Sequence, residues 1–436
     1  MALFAQDALN EGVRKREVFG WAMYDFANSG YTTVVLTAVF NAYFVGVVAN
    51  GAAWGTLAWT LALGVSNLVV MLTMPALGAF ADLRAAKKRL LALTTVACVL
   101  STLALIGVGR NDVALAVAAI VLSNLFYAYG EALTAAFLPE LARRDALGRV
   151  SGWGWSFGYC GGMLSLGLSL GYVIWAQGQG QTAEQFVPVT MGITAAVYGV
   201  ASLATFALLS ERATPQPGRI AGLSASLARL ATTWREARRF RDFTWLLATG
   251  LAYQAGIAVV IALAAVYAEQ VLGFKQIDTM MLVFLVNIAS AVGAFAFGYW
   301  QDRVGHRRAL AFTLFGWIVM CGLAVAAQGP GLFWVAAVIA GLCMGSSQSA
   351  GRAVAGLLAP PGRLAEFFGL WAFATRLSAI VGPVTYGLVT WVTGGNHRLA
   401  IASTGLFFVA GLWLLRRVDV ERGAREALRP ALDASP

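Results

Sequence analysis

A chain of 436 residues that is 59% hydrophobic and 12% charged, with a mean hydropathy of +0.71, is too apolar to fold in water. Soluble domains hold about 45–50% apolar and about 25% charged residues. The net charge of +10 is not the basic face of a nucleic-acid binder, because all but five of the 31 Lys and Arg fall in one alternate set of loops and at the termini.

The five exceptions are Arg110, Lys275 and Arg398 in the opposite loops, and Arg352 and Arg376 inside apolar runs. Such an asymmetry predicts both termini in the cytoplasm and an even number of crossings of a plasma membrane, the bacterial inner membrane being the expected one. The leading segment MALFAQDALNEGVRKRE has neither the apolar core nor the cleavage site of a signal peptide, so the first span is expected to remain in the mature protein. Runs long enough to cross a bilayer, about 20 residues each, are expected at 18–48, 57–81, 90–108, 113–138, 150–176 and 187–209. Six more follow at 243–271, 278–300, 309–327, 332–358, 366–393 and 397–417.

The longest polar stretch, Glu211 to Asp242, divides six spans from six. Within it Leu223, Leu227, Leu230 and Trp234 recur at helical spacing among Arg229, Arg235, Arg238 and Arg239. That is the pattern of a helix lying on an anionic membrane surface. The expected division is a six-helix bundle over 1–210, a cytoplasmic linker with an amphipathic helix over 211–242, a second bundle over 243–418 and a cytoplasmic tail over 419–436.

The two halves echo each other. GAFADLRAAKKR (78–89) follows the second span, and GYWQDRVGHRR (298–308) follows the eighth. Likewise RVSGWGW (149–155) and EFFGLWA (366–372) open the fifth and eleventh. Six-plus-six parallel repeats are the layout of the major facilitator fold, whose solute site lies between the halves near the midplane.

The second loop copy resembles that superfamily's pattern Gly-x-x-x-Asp-Arg-x-Gly-Arg/Lys-Arg/Lys through Gly298, Asp302, Arg303, Gly305, Arg307 and Arg308. The first copy keeps Gly78, Asp82 and the basic run Lys87-Lys88-Arg89 but lacks the second glycine. A carboxylate at a helix end can cap or pair with a neighbouring helix and hold one conformation shut.

Four further stretches narrow the match: GWAMYDFANSGYTTVVLTAVF (20–40), AAFLPELA (135–142), RVSGWGWSFGYCGG (149–162) and GSSQSAGRAVAGLLAPPGRLAEFFGLWAF (345–373). Together they resemble the vacuole-effluxer-like family over most of the chain. The resemblance implies a transporter and, from the family's best-known members, export of amino acids from fungal vacuoles. Ala135-Ala136 stands where relatives often carry Tyr-Asn, and Arg376 where many carry lysine, so the solute does not transfer with the family.

Ionisable residues inside a span cost about 2.5–3.5 kcal/mol each on insertion scales and usually face a cavity or a partner. Asp25, Glu131, Arg352 and Arg376 lie deepest. The superfamily resemblance implies a cavity lined by helices one, four, seven and ten, which carry three of these four together with Asn28, Asn124, Gln254 and Gln348. Trp21, Asp25, Asn28 and Thr32 form one helical stripe, and Asn124, Tyr127 and Glu131 another. Tyr24 joins the candidate substrate or coupling residues, and Gly78, Asp82, Gly298, Asp302, Arg303 and Arg307 form the candidate gate loops. Arg352 either pairs with Asp25 or Glu131 as a latch or receives a solute carboxylate, while an acid binds an amine or carries a proton. Trp21, Trp153 and Trp155, near the cytoplasmic ends, read as interfacial anchors. Gly154, Gly158 and Gly162 on the fifth helix and Ser290, Ala294 and Gly298 on the eighth are small-residue faces for close packing.

Cys98, Cys160, Cys321 and Cys343 all fall in apolar spans without metal-ligand spacing and are expected as small packing residues. His306 and His397 lie in loops on opposite sides, so no metal site, cofactor or catalytic group is expected. Walker and HExxH motifs are missing from the sequence, which argues against an enzyme. The expectation is an all-α secondary transporter, monomeric, with a small polar solute, protons and membrane lipids as partners. The solute class best matched by acids and arginines around one cavity is an amino acid or similar zwitterion. A multidrug or other metabolite exporter and a non-transporting sensor are the alternatives.

Overall fold

The computed structural model describes residues 4–52, 54–215, 240–274 and 276–429. Among them are 12 helices long and apolar enough to cross a membrane. The first, α1, runs Lys15–Gly30 and continues through a wide π-helical stretch, Tyr31–Ala38, then Phe40–Tyr43 and Phe44–Val48. The rest of the first six are α2 Gly55–Arg84, α3 Lys87–Ala104, α4 Val113–Ala135, α5 Leu147–Gly178 and α6 Ala183–Leu208. The second six are α7 Arg241–Leu272, α8 Gln276–Val304, α9 His306–Ala326, α10 Pro330–Leu358, α11 Leu364–Val392 and α12 His397–Leu415.

Most helices run a turn or so beyond the expected apolar segments. Hydropathy marks the stretch that crosses lipid, whereas the backbone ladder continues into water until a turn residue stops it. The surface-lying helix expected from Leu223 to Trp234 lies outside the described residues. The tail carries a short helix, α13, Val420–Leu428, capped by the Asp419 side chain accepting from the Arg422 N–H.

The widening of α1 has a local cause. The hydroxyls of Thr32 and Thr33 both bond back to the Ser29 carbonyl, at 3.0 and 2.9 Å, and Thr37 bonds to the Thr32 carbonyl at 2.9 Å. Such back-bonding competes with the backbone ladder in a β-branched run.

Between the two sets of six, α5 lies along α8 and α2 along α11. An even number of crossings puts both chain ends at one end of the bundle, called the base here. The inter-set contacts concentrate toward it. Gly369 of α11 sits against the backbone of Met74 and Pro75 of α2, and Gly298 of α8 against that of Gly148 of α5. Farther along α11, away from the base, Val384, Leu388 and Trp391 are exposed.

Three of the four cysteines are buried as expected, but Cys160 is exposed on α5 and packs no core.

Candidate functional site

The two loop copies perform the same act with opposite partners. Asp302, at the end of α8, accepts from the N–H groups of Gly148 and Arg149 in the first turn of α5, at 2.9 and 3.0 Å, and from Arg149 Nε at 3.2 Å. Asp82, at the end of α2, accepts from the Glu366 N–H in the first turn of α11 at 3.1 Å. Each carboxylate therefore caps the N-terminus of a helix in the other set, where orphan N–H groups and the helix dipole both favour an anion.

The Gly-x-x-x-Asp spacing follows from this geometry. Residues four apart share a helix face one turn from each other. A Cβ on Gly78 would collide with the Ala365 carbonyl, and one on Gly298 with that of Gly148. Glycine admits the partner helix, and the aspartate one turn later caps it. Among the basic residues of the second copy, Arg303 is exposed and Arg307 donates to the Arg416 carbonyl at 3.2 Å.

The missing second glycine also has a structural answer. Gly305 turns out of α8 at φ 92°, and Ala85, three residues after Asp82, turns out of α2 at φ 50°. Alanine thus occupies the left-handed conformation that glycine adopts without strain.

Deeper in, two ion pairs cross between the sets. Arg352 of α10 donates from Nη1 to Asp25 of α1 at 2.6 Å, from Nε to Ser151 Oγ at 3.1 Å and from Nη2 to the Ser151 carbonyl at 2.8 Å. Its guanidinium lies over the rings of Trp21 at 4.8 Å and Trp155 at 5.3 Å. Gly154 makes room for this assembly, since a Cβ there would meet Asp25, Arg352 and Trp21. In the second pair, Arg376 of α11 donates to Glu131 of α4 at 2.5 Å, with its guanidinium 5.8 Å from the Tyr127 ring. Arg352 is six residues from the base end of α10 and Arg376 twelve from that of α11. At 1.5 Å per residue the second pair is rooted roughly 9 Å deeper.

Not every candidate faces this interface. Gln254 of α7 donates to Gln348 of α10 at 2.7 Å. Asn28 is buried on α1, its side-chain oxygen 3.5 Å from Ser29 Oγ. Tyr24 turns instead into the first helix set, where its hydroxyl meets those of Tyr198 at 3.1 Å and Thr95 at 3.2 Å. Successive helical residues point about 100° apart, so Tyr24 cannot share the direction of Asp25. Asn124 donates to Ser66 of α2 at 3.0 Å, because α2 covers α4 at that level.

The interfacial-anchor expectation fails for Trp21 and Trp153. Both are essentially fully buried, with Trp21 Nε1 donating to the Thr134 carbonyl at 2.9 Å and Trp153 Nε1 to Tyr299 Oη at 3.1 Å. Two groups were not singled out from sequence. Ser151 holds Arg352 on two nitrogens. Lys87, named only as part of a basic run, is buried and paired with Glu140. The only signal for that pair was Glu140 itself, within Phe137-Leu138-Pro139-Glu140.

Comparison with known proteins fits this architecture. The sequence profile described as "Vacuole effluxer Atg22 like" matches residues 43–149 and 145–428. The MFS-type transporter YxiO of Bacillus subtilis is 24% identical over 414 residues, covering 92% of this chain and 94% of that protein. Autophagy-related protein 22-1 of Aspergillus niger is 29% identical over 214 residues, 46% of this chain and 35% of the fungal protein. The human organic anion transporter MFSD10 superposes with a TM-score of 0.71 at 14% identity, covering 92% of this chain and 99% of that one. The proton:xylose symporter XylE superposes at 0.72 and 13% identity, covering 93% and 95%. These similarities, with the twelve helices and the twin capping loops, make the chain a major facilitator transporter that belongs to the Vacuole effluxer Atg22 like family.

Proposed function

We propose that this protein moves an amino acid or similar small zwitterion into the cytoplasm together with protons, by alternating access. The supporting observation is how charge is divided. Both acids, Asp25 and Glu131, stand on α1–α6, and both arginines, Arg352 and Arg376, stand on α7–α12. A solute carrying one charge of each sign can bond to both sets at once, its carboxylate to an arginine and its amine to an acid.

The base, with both termini, is the cytoplasmic side, in accord with the loop charges. The conformation is then outward-facing, its inner side closed by the capped helix ends and the ion pairs. A vacuole lumen is topologically outside, so efflux from a vacuole corresponds to uptake through a plasma membrane. An inward proton gradient drives such symport if a gate carboxylate takes up a proton when its arginine withdraws. The fucose:proton and proton:xylose symporters share this fold, although a fold match carries no solute or coupling ion with it.

The test is uptake of radiolabelled amino acids into proteoliposomes under imposed pH gradients. Accumulation should follow an inside-alkaline gradient. At saturating solute, Glu131→Gln should still support exchange, with weaker affinity, while losing gradient-driven accumulation. If no amino acid enters, the solute assignment fails; if uptake ignores the gradient, the coupling assignment fails.

A further inference from the structure

The two ion pairs are built differently, and the difference assigns them different work. Arg352 is engaged on every nitrogen: Nε, Nη1 and Nη2 each donate to a partner, and two indole rings cover its guanidinium. The pair is also sealed, with side chains only 8% exposed for Arg352 and 12% for Asp25. Arg376 uses a single nitrogen on Glu131, and its Nε–H has no partner among the described residues. Its pair is less enclosed, the side chain of Glu131 being 39% exposed and that of Arg376 16%.

Among the described residues, the contacts toward the base are closed. Below the pair lie the sealed Asp25–Arg352 assembly and the two capped helix ends, so access is from the opposite end. A solute arriving by that path meets Glu131 and Arg376 first. Arg376 Nε is buried, but Nη1 also makes no bond among the described residues, so Arg376 can take a carboxylate there without first giving up its bond to Glu131, and the exposed Glu131 can turn to an amine. Arg352 is held on all three nitrogens and enclosed under two indoles, so a solute cannot reach it while the base is closed.

Resting on the zwitterion reading above, we propose that Glu131 and Arg376 form the outward docking site for the solute. Asp25 and Arg352 form a latch that holds the base closed and contacts no solute until it opens. Every partner of Arg352 named here, Asp25, Ser151, Trp21 and Trp155, belongs to the other helix set. A rigid-body opening of the base removes them all together. That is the behaviour of a latch, whereas a binding residue keeps part of its shell.

The purified full chain can be treated with p-hydroxyphenylglyoxal, an arginine-directed reagent, and the adducts located by mass spectrometry. Arg376 should react at least about ten-fold faster than Arg352, with exposed Arg303 as the reference. An equimolar mixture of L-amino acids should protect Arg376 and leave Arg303 unchanged. In binding assays with the same mixture, radiolabelled, Arg376→Gln should lose about ten-fold or more in affinity, the scale of one charge-assisted hydrogen bond. Arg352→Gln and Arg352→Lys should bind near native affinity yet lose uptake. Equal modification of the two arginines, or an equal loss of binding in the two glutamine variants, overturns the division of roles while leaving the transporter intact. If the unmodified protein neither binds nor imports the mixture, the zwitterion reading falls, and the modification rates alone decide which pair is reached first.

Discussion

Replacing Asp302 by Asn should open the base, and the structure sets the scale. The carboxylate accepts from two backbone N–H groups of α5, at 2.9 and 3.0 Å, and from Arg149 Nε at 3.2 Å. Asparagine keeps one acceptor oxygen but turns an NH2 toward donors, so at least one of these bonds is lost and a donor is left unpaired. A hydrogen bond to a charged group contributes about 1.5–3 kcal/mol, and an anion at a helix N-terminus about 0.3–1 kcal/mol more. With the base open, Asp302 stands away from α5 and the substitution costs little. The closed state should therefore lose roughly 2–4 kcal/mol, which shifts the closed-to-open ratio by thirty-fold to several hundred-fold. Asp82 accepts from the Glu366 N–H at 3.1 Å and also meets the Ala365 N–H, but has no arginine like Arg149 beside it, so Asp82→Asn should shift the ratio less. Spin labels at the exposed Asp145 and Arg308, near the base on opposite helix sets, report the separation by double electron–electron resonance. Transport by Asp302→Asn should slow more than solute binding weakens. An unchanged distance distribution, or a larger shift from Asp82→Asn, refutes the capping account.

Gly154→Ala places a methyl against Asp25, Arg352 and Trp21; it should destabilise the closed form by about 1–3 kcal/mol, read as a lower melting temperature and a wider base. Ala85→Gly relieves a left-handed alanine at φ 50°, and should raise thermal stability by up to about 1 kcal/mol, part of the relief being offset by the greater freedom of glycine in the unfolded chain. A loss of stability would show that the Ala85 side chain packs usefully. In a cysteine-free background on intact cells, Asn50→Cys and Gln179→Cys should react with an impermeant maleimide and Arg303→Cys should not. The reverse pattern would invert the proposed orientation.

The spans were legible because about twenty consecutive apolar residues have few other uses, and the twin loops because Gly-x-x-x-Asp recurs at matching places. Which acid meets which arginine was not. Asp25 and Arg352 are separated by 327 residues, and Glu131 and Arg376 by 245, so the pairing is set by how two bundles dock and not by any local period. Helical stripes identify a face but not what covers it, which is why Asn124 looked available although α2 lies over it. Position near a helix end made Trp21 and Trp153 look like lipid anchors. Inside the bundle that same level is where α1, α5, α8 and α10 converge, and the indoles fill it. Lys87 was hidden by company: two further basic residues follow it, and a run of three reads as solvated unless the carboxylate of Glu140 is already known to face it. The helix of α13 is short and polar, and its main signal, Asp419 three residues before Arg422, is too common to stand alone.

The division of charge between the helix sets also limits what the carrier can move, on the reading proposed here. Opening the base pulls Arg352 from Asp25, and withdrawing α11 from α4 pulls Arg376 from Glu131. Removing one partner of a buried pair costs about 3–5 kcal/mol because the other charge is left uncompensated. Water can meet part of that cost at the exposed Glu131, but not at Asp25, which is enclosed where Trp21 and Gly154 pack at its pair with Arg352. An apolar solute supplies no charge to either side, so it lowers neither term and gives the carrier no reason to turn. A zwitterion supplies both signs, and a proton on the vacated carboxylate removes the remaining one. Coupling then follows from electrostatics: the carrier turns readily when solute and proton are both aboard, and slowly when either is missing.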